Sequence, residues 1–304
     1  MVEVAPVPKR FLVDASLVRR LIDAQFPQWR HLPIRPVANQ GWDNQTFRLG
    51  DEMSVRLPTA KEYALAVEKE QRWLPVLGPQ LPLPIPLPLG RGVPSEEYPH
   101  PWSVYKWLDG QPANEDNIAD LTAFAIDLAD FLAALQRIDS TDGPAPGLHN
   151  WYRGGPVATY DKETARHLET LDGHVDTDLA AEIWQTAIRA SWDGQPVWFH
   201  GDVARGNLLV KDGALAAVID FGTSGVGDAA CDLAIAWTLF RGESREAFRE
   251  RLSVDAATWA RGRGWALWKT LATYAWAVRS GDPQPSEATY VLDQIFAEYR
   301  ESAE

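Results

Sequence analysis

Cysteine occurs once in the 304 residues, so no internal disulfide can hold this fold and packing must do so. That thiol, Cys231, stands in an apolar run and reads as a buried small hydrophobe in a reducing compartment. Long apolar runs are missing as well, since nothing approaches the roughly 18 uninterrupted apolar residues of a membrane span. The N-terminal MVEVAPVPKRF carries two prolines and mixed charge where a secretory leader needs a basic start and an apolar stretch; the expected address is the cytoplasm. Positive charge is in deficit: 29 Lys and Arg against 42 Asp and Glu leave a net charge of −13, which disfavours a nucleic-acid partner and favours neutral or cationic ligands. No Cys and His cluster has zinc-ligand spacing, and no internal repeat is evident.

What is present is an ordinary soluble composition, 45% hydrophobic and 23% charged, in a chain long enough for two lobes around a cleft. The run WFHGDVARGNLLVKDGALAAVIDFG, residues 198–222, carries the chemistry. Asp212-Gly213 between NLLVK and ALAAVID predicts a two-residue hairpin turn. Counting outward pairs Lys211 with Ala214, Leu209 with Ala216 and Asn207 with Val218, so Asn207 and Asp220 become diagonal neighbours, about 7–8 Å apart. Asp202 falls in the loop feeding the first strand. A magnesium ion accepts few protein oxygens, so one carboxylate and one amide oxygen suffice, and the other carboxylate is left to orient an incoming hydroxyl.

His200-Gly201-Asp202, then Asn207, then Asp220-Phe221-Gly222 follow the H-x-D-x-x-x-x-N and D-F-G pattern of kinase catalytic and metal loops. With Gly201 after the histidine and Gly227-Asp228 and Asp232 downstream, the segment resembles the aminoglycoside phosphotransferase family. That family usually reads G-D-P-x-x-D here, and Ala229 replaces the proline. Asp228 is expected to cap a helix starting near Ala229, with Asp232 one turn inside it; with His200, both aspartates are read as braces of the catalytic loop.

Elsewhere the patterning predicts a helix over 12–26, with Ser16 near its start, and a hairpin of 45–49 with 53–57 around Gly50 and Asp51. A helix over 60–74 should stop at Pro75. The proline-rich stretch from Pro75 to Pro94 must be extended, and its apolar residues recur every second position, which suits packing one face onto a lobe. Another helix spans 118–135, capped by Asn114 or Asp116; loop 140–156 follows, and 157–192 reads as helical. Trp265 and Trp268, three apart, read as core.

The resemblance implies further roles. Gly41-Trp42-Asp43-Asn44 lies where the loop over the nucleotide phosphates belongs, with Asn44 a nucleotide contact. Arg56 takes the position of the strand cation, usually lysine, and either Glu68 or Glu70 could pair with it; Glu70 better matches the family's E-x-x-W/L pattern. Residues 102–110 become the hinge, with Tyr105 behind the adenine pocket and the backbone of Lys106 and Leu108 pairing with the base. The implied fold is α+β and protein-kinase-like: an antiparallel-sheet lobe over 1–109, including the hinge, and a larger mostly helical lobe over 110–304. The implied activity is transfer of the γ-phosphoryl group of ATP or GTP, with Mg2+, to a hydroxyl of a small molecule. Asp202 serves as base, Asn207 and Asp220 as metal ligands, and Arg56 steadies the phosphates. An aminoglycoside-type or other antibiotic is the first-choice acceptor; a macrolide or an ordinary metabolite such as a sugar, choline or homoserine is the alternative, and a non-catalytic binding protein is the remaining reading. Loop 147–156 is the candidate acceptor contact, and no segment specifies an oligomeric state.

Overall fold

The computed structural model describes residues 10–38, 40–281 and 286–303; most of the N-terminal segment read for a leader lies outside them. The chain begins with helix α1 (Ala15–Gln25), capped by Asp14, whose carboxylate accepts from the Leu17 amide at 2.8 Å. The Ser16 hydroxyl supports that cap by donating to Asp14. Helix α1 lays Leu17, Val18, Leu21 and Ile22 on a five-stranded antiparallel sheet of β1 (Ile34–Pro36), β2 (Asn44–Leu49), β3 (Met53–Pro58), β4 (Pro88–Gly92) and β5 (Trp102–Lys106). The spatial order is β1-β2-β3-β5-β4, and the β2–β3 hairpin turns through Gly50 at φ +61°. Its strands are those expected, each longer by one residue.

Helix α2 (Lys61–Leu77) follows β3 and runs through Pro75 instead of ending there. Leu74 and Leu77 are fully buried, and their packing holds the last turn in helical form although Pro75 can donate no backbone hydrogen bond. Beyond it, Leu81, Leu83 and Ile85 face inward against the larger core. Leu87 breaks the alternation: it is exposed, and the chain enters β4.

The rest is mostly helical. Helix α3 (Leu121–Arg137) is capped by Asp120, which accepts from the Thr122 and Ala123 amides. Asn114 instead closes a local turn with Asn117, so neither Asn114 nor Asp116 is the cap. The span 157–192 is broken into a short 3-10 turn, α4 (Asp161–Thr170) and α5 (Thr177–Arg189). Four helices end the chain: α6 (Ile235–Thr238), α7 (Glu243–Arg251), α8 (Ala256–Arg279) and α9 (Ser286–Ala303). Short strands lie between: β6 (Gln111–Pro112), β8 (Leu208–Lys211) and β9 (Ala214–Val218) form one sheet, and β7 (Val197–Phe199) pairs with β10 (Gly225–Gly227). Trp265 and Trp268 belong to the core, as expected. Among the described residues no helix is long and apolar enough to cross a membrane.

Candidate functional site

The turn at Asp212-Gly213 forms as the dipeptide predicts, with both residues at positive φ and Lys211 opposite Ala214. Past it the register departs from the simple count. Leu209 faces Ala217 and Leu208 faces Val218, because a β-bulge at Leu209/Val210 absorbs one residue of β9. Asn207 therefore sits opposite Ile219, whose amide donates to the Asn207 carbonyl at 2.8 Å. Asn207 and Asp220 nevertheless line one cleft.

Upstream of β8, the loop carrying Asp202 is fixed by three attachments. Asp232 accepts from the His200 amide at 2.8 Å and from the Gly201 amide at 2.6 Å, tying the loop to the 3-10 turn Ala229–Ala234. That segment is 3-10 helix where an ordinary helix start was expected, but Asp228 caps it, donating no proton and accepting from the Ala230 amide. Its other attachment is Arg261 on α8, with Nε 2.6 Å from Oδ2. The His200 ring completes the brace: Nε2 lies 2.9 Å from the Ile219 carbonyl and Nδ1 3.2 Å from the Asp202 amide, which assigns the proton to Nε2.

Asp202 shares its carboxylate between two neighbours. Oδ2 accepts from Asn207 Nδ2 at 3.1 Å, and Oδ1 lies 2.5 Å from Lys269 Nζ on α8. Burial alone would raise this carboxyl, but Lys269 by charge and hydrogen bond, helped by Arg153 and His200, brings it down to about 2. Asn207 Nδ2 also donates to the Asp202 carbonyl at 2.9 Å, leaving Oδ1 as the free end of the amide. With Asp220, whose backbone is held in the left-handed region at φ +64°, this supplies one amide and one carboxylate oxygen to the cleft. Magnesium accepts such a sparse hard-oxygen set and takes its remaining ligands from water and phosphate. No cluster of three or more His, Cys, Asp or Glu side chains suited to a metal occurs among the described residues.

Across the cleft, Arg56 on β3 reaches Asp220 Oδ1 at 2.9 Å and Glu70 Oε1 at 3.8 Å. Burial opposes the guanidinium charge, and the two carboxylates more than restore it. Glu70 on α2 also accepts from the buried Tyr105 hydroxyl at 2.5 Å; burial raises its carboxyl, and Arg56 and that hydrogen bond act against the rise. Glu68 is paired instead with Arg91 near the surface, so of the two candidates Glu70 is the one beside Arg56. Tyr105 thus lines the cleft and props Glu70.

The cleft holds about 360 Å³, lined by Asn44, Arg56, Tyr105, Lys106, Leu108 and Asp220 among others. Lys106 differs from the expectation in one respect: its amide already donates to the Leu87 carbonyl at 2.9 Å, because β4 pairs there, so that donor is not free for a base. Leu108 keeps its backbone unbonded among the described residues.

Several residues here were given no individual role by the sequence patterns. Asp43 lines the same cleft, and burial, with the charge of Asp220 next, raises its carboxyl to about 7. Lys69, buried beside Glu70, donates to the carbonyls of Gly222 at 2.7 Å and Ser224 at 2.8 Å, and burial lowers its ammonium to about 7. Lys269 lies 67 residues from Asp202 and nothing local marks it; a lysine inside the otherwise apolar run WALWKTLATYAW was the one available hint.

Comparison with known proteins identifies the fold and the family. Among solved structures, the GDP complex of wild-type aminoglycoside 2'-phosphotransferase-IIIa matches with a TM-score of 0.68 at 17% identity, covering 93% of this chain and 98% of that one. The streptomycin–ATP ternary complex of APH(2")-IIa matches with a TM-score of 0.56 at 16% identity, covering 94% and 97%. Macrolide 2'-phosphotransferase MphH from Brachybacterium faecium, without ligand, matches with a TM-score of 0.58 at 19% identity, covering 92% and 97%. At such identities these likenesses establish the fold, which is that of the aminoglycoside phosphotransferases and kinase-like. No curated protein is recognisably similar in sequence. The sequence profile of one family matches residues 34–265, a span running from the first strand of the sheet to Trp265 on α8, and the chain belongs to that family, the phosphotransferase enzyme family.

Proposed function

We propose that this phosphotransferase moves the γ-phosphoryl group of ATP or GTP to a hydroxyl of a small molecule, with Asp202 as the base. One observation carries the reading: Arg56, Asn207 and Asp220, drawn from β3, the loop before β8 and the end of the hairpin, line a single cleft, and Asp202 accepts a hydrogen bond from Asn207 beside it. Asn207 Oδ1 and Asp220 would hold Mg2+, which supplies neutralisation of phosphate charge when bound. Asp202 orients the acceptor hydroxyl, whose oxygen bonds to the γ-phosphorus as the bond to the β-phosphate oxygen breaks and the nucleoside diphosphate leaves, and the hydroxyl proton passes to Asp202. A carboxylate held near 2 is a weak base in the resting protein, and its main contribution is orientation until the proton moves late in the transfer. Arg56 grips the phosphates, and Glu70 with Tyr105 holds Arg56 in place. Positioning and electrostatics must then supply most of the rate.

We assign Leu108 and the carbonyl of Lys106 to the base, and Asn44 and Asp43 to the phosphates, because all four residues line this cleft. We divide the chain at 109/110, into a nucleotide-binding lobe and an acceptor-bearing lobe. The acceptor is a hydroxylated compound of the antibiotic class; the solved neighbours are named for aminoglycosides and macrolides, and a metabolite kinase is the second reading. The test is nucleotide consumption with a panel of hydroxylated antibiotics and metabolites. Asp202→Ala should abolish stimulated turnover while nucleotide still binds, and Asp220→Ala should weaken magnesium-nucleotide binding. Stimulated turnover surviving in Asp202→Ala removes Asp202 from the base role, and an unchanged magnesium requirement in Asp220→Ala removes the ligand assignment.

A further inference from the structure

The surroundings of Asp202 on α8 and the loop 147–156 are cationic and aromatic. Lys269 Nζ sits on Oδ1, and its side chain remains 41% exposed, so it is open to an incoming molecule. Arg153, in the loop 147–156, packs on α8 over the ring of Trp268, the residue before Lys269. Its guanidinium lies 4.5 Å from the ring centre of Trp268, 5.3 Å from that of Trp265 and 5.5 Å from that of Tyr160. Its hydrogen bond goes to the Tyr160 hydroxyl at 2.9 Å, and no carboxylate pairs with it among the described residues.

Acids on the packed elements around it are engaged elsewhere. Asp161 accepts from the Trp184 indole, Glu163 faces His167, Glu298 pairs with Arg263, and Asp228 pairs with Arg261. The aromatic cluster also holds two indole N–H groups, of Trp265 and Trp268, without an acceptor. Donors and positive charge gather beside Arg153, although Glu163 Oε2 is likewise buried without a hydrogen-bond partner. An arginine fork stacked on indole keeps most of its five N–H groups for a planar oxyanion.

We propose that Arg153 and Lys269 select the acceptor: a hydroxylated molecule bearing a carboxylate and an apolar or aromatic face, and not a polycation. This rests on the phosphotransfer reading of Asp202. The acceptor's carboxylate meets the Arg153 fork, its apolar face lies near Trp268, and its hydroxyl is delivered to Asp202 beside Lys269. A polyammonium ligand would meet Arg153 as a like charge and would have to displace Lys269 from Asp202. The negative net charge of the chain does not alter this, because charge summed over a chain does not describe one pocket.

Calorimetry on nucleotide-loaded protein, with three probes, tests it: phenyl glucuronide, phenyl glucoside with the same ring and no charge, and kanamycin as the polycation. The glucuronide should bind about tenfold or more tighter than the glucoside, with kanamycin weakest. Arg153→Gln and Lys269→Gln should each erase the preference, and Arg153→Lys, which keeps the charge without the fork, should restore part of it, which a merely structural role would not do. Lys269 is half exposed, so its variant carries the test if the Arg153 variant does not fold. Kanamycin binding tightest, equal binding of glucuronide and glucoside, or no uptake of glucuronide at about 10 mM would each overturn the proposal. Asp202-dependent nucleotide hydrolysis measured alongside separates the cases: if it persists, only the acceptor assignment fails, and if it is absent, the phosphotransfer reading fails with it.

Discussion

Arg56 on β3 places Nη2 2.9 Å from Oδ1 of Asp220, bridging the N-terminal sheet to the segment after the catalytic hairpin. One cation is thus shared between the carboxylate proposed to hold magnesium and the helix carboxylate Glu70. Arg56→Ala should weaken nucleotide binding about ten- to a hundredfold, the range of a charged hydrogen bond worth about 1.5–3 kcal/mol. Arg56→Lys keeps the charge without the fork and should lose less. Calorimetry with magnesium-nucleotide is the check, and unaltered affinity in the alanine variant would remove Arg56 from the phosphate role.

Gly201 occupies φ +86°, and a Cβ there would lie 2.5 Å from the Thr223 carbonyl oxygen. The close approach of two backbones lets Asp232 hold the His200 and Gly201 amides together. Gly201→Ala should cost about 1–3 kcal/mol of stability and displace Asp202, lowering turnover more than nucleotide affinity. Denaturant unfolding and steady-state kinetics together decide it; equal stability and full turnover would contradict the constraint.

For Asp43, a folded-state value of about 7 against the ordinary 3.8 means that folding favours the protonated acid. Its contribution to stability is complete below about pH 3.8 and is lost as pH rises through 7. Asp43→Asn should therefore gain on the wild type between pH 5 and 7, with a slope on the order of 1 kcal/mol per pH unit. Urea unfolding at pH 5, 6, 7 and 8 measures it, and a pH-independent difference would speak against burial beside Asp220 as the cause.

Lys69 carries the opposite sign. Its ammonium is depressed to about 7 from 10.5 by burial, so the stability it confers is full above pH 10.5 and declines as pH falls through 7. Relative to Lys69→Met, the wild type should gain stability between pH 7 and 10. The variant also loses two donors to the Gly222 and Ser224 carbonyls, which should loosen the segment after Asp220. Hydrogen exchange of residues 221–225 reads the second effect, and unchanged protection would show that Lys69 does not hold this segment.

Local chemistry accounts for what was legible before any coordinates. Asp-Gly specifies its turn because both residues tolerate positive φ, and Phe47 and Leu49, two apart in β2, mark its buried face. The bulge in β9 was not legible, since one extra residue leaves an apolar run looking the same. Helix α2 overran Pro75 because burial of Leu74 and Leu77 outweighs a missing donor in the last turn.

The sequence by itself determined the reaction class and its order along the chain: His200, Asp202, Asn207 and Asp220 stand at spacings set by one loop and one hairpin, where backbone geometry alone brings groups together. Only the tertiary structure decided which distant charges complete the site. Arg56 meets Asp220 across 164 residues and Lys269 meets Asp202 across 67, contacts created by packing a sheet and a long helix against the loop and hairpin of residues 200–220. Such pairs leave no periodic trace, because a charge is placed by the burial of its neighbours and not by its own position in a pattern.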